Sequence, residues 1–496
     1  MATQPVQDLA TELTELYHAL REARQRTLEL IEDLSDEQMI GSRLDIVNPL
    51  RWEVGHIGYF QEYWVLRHFR KEAPTRPEGD GLYDSARIAH DTRWDLPLPS
   101  KADTLAYIQR ILERVTGIRE GEVAPTGTRP DEIGRSAPAG LKPGATPNPE
   151  PRIPDPESRK EVDRYDEAYF IRLALLHECM HAEAITYTRQ TLGYPAPKIT
   201  IRDSGSGVRD SGLGAGSPSR VPSPESRTPN PDAEIPGGTF LLGSTPDRTF
   251  VFDNEQWAHA VTLKPFRMAR TAVTNAEFAA FVEDGGYRRR ELWSGEGWRW
   301  RASARADHPV YWQRQAGGRW LRRNFDQWVP LEGRLPVLHV NWYEADAYCR
   351  WAGRRLPTEA EWEMAASAEP TADGRLAEHK RLFPWGDEPT TPGRANLDWR
   401  AMGCADVDML PSGDSAFGCR QMLGNVWEWT ATDFGPYPGF SPGPYKEYSA
   451  PWFGDHKVLR GGCWVTRSGL IHNNYRNYYQ PHRRDVWAGF RTAASD

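Results

Sequence analysis

The sequence predicts an α + (α+β) protein in two parts, a four-helix bundle followed by a loop-rich mixed domain. Three observations carry this. At 496 residues the chain exceeds the roughly 250–300 residues that one hydrophobic core sustains. Apolar residues recur at helical spacing through the first part. Beyond residue 250 that period gives way to short β-like runs, turns and glycines, and most of the 20 tryptophans lie there.

Leu9, Leu13, Leu16, Tyr17, Leu20, Thr27 and Leu30 mark a first helix over 7–36. A second is predicted from Leu50 to Phe69, a third from Lys101 to Ile118 and a fourth from Arg164 to Gln190. Four amphipathic helices with long crossovers read as a bundle over 7–200, a setting in which facing helices build metal sites. Residues 121–160 and 202–233 are rich in Pro, Gly, Ser and Arg and share the phrase PESR. Neither buries enough apolar surface to offset its ordering entropy, so both are expected to be disordered. The first is an insertion between the third and fourth helices; the second is an interdomain linker. From 234 to 494 the strand-like runs are interrupted by two helical stretches, NAEFAAFVEDGGY and NWYEADAYCRWAGRRLPTEAEWEMAA.

Composition excludes several function classes. A net charge of −8 gives no electrostatic reason to expect nucleic acid or an anionic membrane as partner. No apolar run approaches the ~20 residues that span a bilayer, and mean hydropathy is −0.68. The N-terminus MATQPVQDLATELTELYHAL lacks a basic segment followed by an apolar core, so it does not read as a secretory signal. Five scattered cysteines make no disulfide framework. The expectation is a cytoplasmic protein.

His177 and His181, in LLHECMHAEA, stand four apart on a predicted helix, so both imidazoles project from one face. His56 lies in a second helical stretch among Trp52, Tyr59, Phe60 and Trp64. Packing the two helices together lets three nitrogens meet around one metal with other positions open, an arrangement suited to a catalytic ion. HECMH also satisfies the H-E-x-x-H pattern of zinc hydrolases, with Glu178 as base. That reading leaves the second domain without a role.

IPGGTFLLGS, VTNAEFAAFV, PVLHVNWYEADAYCRWAGRRLPTEAEWEMAA, FPWG, GNVWEWT, LRGGCW and the terminal GFRTA resemble, in order, the formylglycine-generating-enzyme fold, a loop-rich, C-type-lectin-like architecture. The first part resembles the DinB-like bundle with its three metal histidines. Together they resemble the ergothioneine-type sulfoxide synthases, closest in wording to the selenoneine branch. The resemblance implies Fe(II) held by His56, His177 and His181, O₂ as co-substrate, and C–S or C–Se bond formation on the imidazole of hercynine. The alternative within the family is an ergothioneine sulfoxide synthase using cysteine or γ-glutamylcysteine. Formylglycine chemistry is not expected, because Cys463 in RGGCW has no second cysteine following it.

The same resemblance assigns the substrate wall. In NYRNYYQPHRRDVWAGFR, Asn477 and Tyr478 match contacts to the trimethylammonium histidine, a cation that an aromatic face attracts. Arg483 matches an arginine that holds the donor carboxylate. Three positions depart from the γ-glutamylcysteine pattern: Tyr479 stands for an aspartate, His90 with Arg93 for an Arg-x-x-Arg, and Met180 for a glutamine. They point to free cysteine or a selenosugar as donor. A tyrosine that donates a proton is sought in DFGPYPGFSPGPYKEYS, Tyr445 first and Tyr437 second.

Overall fold

Capping side chains set the ends of the long helices. The computed structural model describes residues 4–117, 165–201 and 232–495. Within them α1 (Gln4–Glu29), α2 (Asp36–Ile40), α3 (Leu50–Gln61), α4 (Gly79–Tyr83), α5 (Lys101–Thr116) and α6 (Glu167–Leu192) form the first domain. Ser100 accepts the Asp103 amide at the start of α5, and Gly117 ends it with a positive φ of 68°. Asp166 accepts the Tyr169 amide at the start of α6, and Gly193, at φ 67°, ends it.

The four long helices follow the expectation, with two corrections. The first ends at Glu29 rather than 36. Lys101 donates to the carbonyls of Ile31, Glu32 and Leu34, and Arg189 donates to that of Leu30. These cations satisfy oxygens that a continuing helix would have needed to pair. The second helix is α-helical only to Gln61 and widens into a π-helix over Glu62–Phe69. Glu62 there is fully buried and accepts the Tyr107 hydroxyl at 2.6 Å. Of the two segments expected to be disordered, 121–160 and nearly all of 202–233 lie outside the described residues. Ala233 already belongs to a strand.

The second domain contains β1 (Ala233–Ile235), β2 (Gly238–Leu242), β3 (His259–Leu263), β4 (Phe266–Met268), α7 (Asn275–Glu283), α8 (Gly295–Ser303), β5 (Trp312–Arg314), β6 (Trp320–Asn324) and β7 (Gln327–Pro330). It continues with α9 (Trp342–Trp351), β8 (Arg354–Arg355), α10 (Glu359–Ser367), β9 (Trp427–Asp433), β10 (Lys457–Arg460), β11 (Asn477–Tyr479), β12 (Ala488–Gly489) and β13 (Ala493–Ala494). Thr274 with Glu277, Asn341 with Glu344 and Thr358 with Glu361 close reciprocal caps on α7, α9 and α10. Two four-stranded sheets run in the orders β1-β4-β13-β8 and β11-β10-β9-β12. Long loops are locked by buried arginines: Arg460 pairs with Glu359 and Glu363, Arg476 with Glu359, and Arg491 with Glu428.

Helix α6 joins the two domains. Its Glu183 accepts from the Trp427 indole at 2.6 Å and the Thr466 hydroxyl at 2.8 Å. Further along, Thr186 accepts from Trp399 at 3.1 Å, and Gln190 exchanges bonds with the backbone of Arg323 and Phe325. No described helix is long and apolar enough to cross a membrane.

Candidate metal and substrate site

Helices α3 and α6 bring His56, His177 and His181 together, with ligand-capable atoms all within 4.8 Å of one another. The Nε2 atoms of His177 and His181 lie 3.1 Å apart. Two of the three outward nitrogens are occupied elsewhere. His56 Nδ1 meets the Tyr83 carbonyl at 2.8 Å, and His181 Nδ1 meets the Glu53 carboxylate. An imidazole that gives its Nδ1 proton to an oxygen leaves a bare lone pair on Nε2, the usual outer support of a metal-binding histidine. His177 Nδ1 has no protein partner; its ring lies flat on Phe60 at 3.5 Å and 4°.

The approach of α4 to α3 makes this possible. A Cβ at Gly55 would lie 2.2 Å from the Tyr83 ring, so only glycine lets the Tyr83 carbonyl reach His56. Burial, reinforced by the neighbouring His181, pushes His56 down to about 3, and burial holds His177 well below its usual range. Both are neutral near pH 7, as a metal ligand must be. Burial opposes ionisation of Glu53, yet His181 and Asn48 outweigh it and bring the carboxyl down to about 2. Three imidazole nitrogens converging on one point fit a divalent metal of intermediate softness.

Glu178 is not available as a hydrolytic base. It is fully buried and accepts from Arg24, Thr27 and Gln61 at 2.8, 2.8 and 2.6 Å. Its helical position points it at α1 and Gln61, whereas His177 and His181 face His56 of α3.

Of the tyrosine candidates, Tyr445 stands beside the triad, its ring 5.0 Å from Phe60 and 6.4 Å from His177. Burial pushes its phenol up to about 12. Tyr437 is not brought there. Its hydroxyl donates to Glu359 at 3.3 Å and Arg476 covers its ring at 4.1 Å, which makes it part of the buried ion network.

Met180 faces the second domain, where its sulfur accepts from Tyr475 at 3.3 Å and more distantly from Tyr448 at 3.7 Å. Tyr448 stacks on Phe252, and its carbonyl accepts the Tyr478 hydroxyl. Tyr478 itself stacks on Phe434 at 4.0 Å. Asn477 and Tyr479 flank it on β11, and Arg483 lies 5.2 Å over the Tyr479 ring. Arg483 makes a two-point pair with Asp485 at 2.7 and 2.6 Å and crosses to the Ile46 carbonyl at 2.9 Å. His90 Nε2 lies 2.8 Å from the Val47 carbonyl, and Arg93 donates to Asn48 at 2.7 Å. The sequence reading missed Glu53, Tyr83, Tyr448 and Tyr475. A carboxylate three residues before a candidate ligand was a usable signal for Glu53; the others act through folding alone.

A histidine triad on a helical bundle, with Tyr445 of a loop-rich second domain beside it, makes a candidate metal site in a two-domain protein. Comparison places it more narrowly. Residues 19–140 match the DinB superfamily, and residues 218–496 match the sulfatase-modifying factor enzyme 1-like domain. The chain is 33% identical over 487 residues to hercynine oxygenase of Mycolicibacterium smegmatis, covering 95% of this chain and 96% of that protein. The hercynine oxygenase of Mycobacterium tuberculosis is 33% identical over 478 residues, 96% of this chain and 97% of its own length. Formylglycine-generating enzyme of Streptomyces coelicolor is 34% identical over 279 residues, covering 50% of this chain and 81% of that one. Among solved structures, PvdO from Pseudomonas aeruginosa aligns with 52% of this chain and 92% of its own at 23% identity and a TM-score of 0.37. The chain belongs to the ergothioneine sulfoxide synthase family.

Proposed function

We propose that this protein is an Fe(II)- and O₂-dependent synthase that joins selenium or sulfur to the imidazole ring of hercynine. The observation that carries the reading is the open three-histidine face lying against a wall of tyrosines. Near full-length similarity to two hercynine oxygenases supports it. Iron held by His56, His177 and His181 would supply redox chemistry with O₂ and leave positions for ligands.

The chain's own groups bind, orient and move protons. Aromatic faces of Tyr448, Tyr475, Tyr478 and Phe252 suit a trimethylammonium group, which they attract without hydrogen bonds. Asn477 offers an amide to the hercynine carboxylate. Tyr445 keeps its proton at neutral pH because its phenol is pushed up to about 12. It is therefore ready to donate that proton next to the triad. With a thiol donor the balance is imidazole C–H plus S–H plus O₂, giving a sulfoxide and water.

The donor reading rests on Met180, Tyr479, His90 and Arg483. Met180 has no N–H to offer, and Tyr479 puts a phenol ring where a carboxylate would pair an ammonium. Arg483 already shares its fork with Asp485. These features favour a selenosugar or free cysteine over γ-glutamylcysteine, and a cytoplasmic setting suits reduced donors of either kind. The test is anaerobic loading with Fe(II), then O₂ with hercynine and competing cysteine, γ-glutamylcysteine and selenosugar, read by product mass. Selenosugar or cysteine adducts are expected; faster turnover of γ-glutamylcysteine would refute the donor reading. Tyr445→Phe should lower turnover by roughly 10²–10⁴-fold, the usual worth of a positioned proton donor, with Fe(II) affinity unchanged.

A further inference from the structure

Arg93 is one of the residues that the sequence links to the donor, yet its surroundings describe another task. It is 9% exposed, and its guanidinium carbon sits 3.8 Å over the Trp52 ring. Trp52 in turn stacks on His56 at 4.7 Å and 10°, and is pinned by its indole N–H to the Leu82 carbonyl at 2.8 Å. A second arm leaves from the same arginine. Its Nη1 donates to Asn48 Oδ1 at 2.7 Å, and the Asn48 amide nitrogen donates to Glu53. The other Glu53 oxygen meets His181 Nδ1. Both ends of the Asn48 amide and both oxygens of Glu53 are thereby committed, so each member fixes the orientation of the next.

We propose that Arg93 is a positioning residue for the metal ligands, acting on His181 through Asn48 and Glu53 and on His56 through Trp52. The inference rests on the three-histidine metal site. The guanidinium is poorly placed as a donor clamp. Nη1 serves Asn48 and Nη2 reaches the Ile88 carbonyl at 3.3 Å, while Nε has no protein partner. Two of its five N–H groups are thus committed to protein oxygens. One face is already covered by Trp52. Restricting Glu53 and the His56 ring narrows the orientations of two Nε2 lone pairs, and outer partners of this kind govern metal affinity by roughly 10–100-fold.

The experiment uses the full chain with Co(II) as the probe, read by affinity and by the visible absorption bands that report ligand geometry. Arg93→Met should weaken Co(II) binding by roughly 10–100-fold and shift the bands, and Arg93→Lys should do so less. Asn48→Ala should reproduce the affinity loss, and the double variant should be little weaker than either single one, because both cut the same arm. Trp52→Phe, which keeps a ring, should shift the bands while changing affinity less. Donor KM in the Fe(II)-loaded enzyme should stay near its original value in Arg93→Lys. Unchanged Co(II) affinity and bands in Arg93→Met and Asn48→Ala, with a raised donor KM, would overturn the proposal and return Arg93 to donor binding. Should Arg93→Met fail to fold, Arg93→Lys and Asn48→Ala decide it by the same readouts. Failure of the unaltered chain to bind Co(II) at all would instead remove the metal site beneath both readings.

Discussion

The two faces of the site are built on opposite plans. The metal face comes from two long helices, with two ligands one turn apart on α6 and the third on α3. Its outer support comes from the same bundle: Glu53 on α3 holds His181 of α6, and the Tyr83 carbonyl at the end of α4 holds His56. The substrate face comes from loops and a strand, with Phe252, Tyr445, Tyr448, Tyr475 and Tyr478 drawn from segments far apart in sequence. Those loops are held by buried arginine–glutamate pairs. On the proposed function, a regular scaffold would fix the chemistry, while an irregular one, easily varied residue by residue, would fix what is acted on.

The sharpest way to break this division is at the metal face. His177→Ala should abolish stoichiometric Fe(II) binding and turnover while the unfolding curve changes little, as read by metal analysis of the purified variant and by circular dichroism. Retained turnover would show that the triad does not carry the reaction.

Next comes the scaffold of the substrate face. Glu359 serves both Arg460 and Arg476, each fully buried. Glu359→Gln leaves uncompensated charge inside the protein and should destabilise it by about 3–5 kcal/mol, measured in denaturant. The loss should fall on the second domain, so near-ultraviolet tryptophan signals should unfold before Co(II) is released.

A smaller effect separates local caps from long-range pairs. Glu361 caps α10 and pairs with Arg355 at 2.7 and 2.8 Å. Burial works against its charge, but Arg355 and the Thr358 amide prevail and hold the carboxyl below its ordinary value. Its contribution is therefore present above the unfolded-state value near 4.5 and is lost as pH falls through the depressed folded-state value. Melting curves of the unaltered chain and Glu361→Gln should differ by about 1 kcal/mol at pH 7 and converge toward pH 3. A constant gap across that range would contradict the assignment.

The same contrast explains what could be read from the sequence. The i, i+4 spacing of His177 and His181 and the amphipathic period of four helices are local signals, and each survives in the fold. The early end of α1 is not local. It depends on Lys101 and Arg189, which arrive from α5 and α6. Tyr445 and Tyr437 have similar neighbours in sequence, so only loop closure separates the one beside His177 from the one buried with Arg476. Glu178 was equally ambiguous, since its helical phase shows direction but Arg24, more than 150 residues earlier, supplies the partner.

The central claim is that these two faces form one site. The most direct measurement is electron paramagnetic resonance of the Fe(II) protein treated with nitric oxide as an O₂ surrogate, titrated with hercynine. A saturable change in the iron–nitrosyl spectrum is expected, with hercynine bound more weakly in Tyr448→Leu and Tyr475→Leu, which remove the aromatic faces, and no signal in His177→Ala. Hercynine that binds without altering the spectrum, or a spectrum indifferent to both tyrosines, would contradict it.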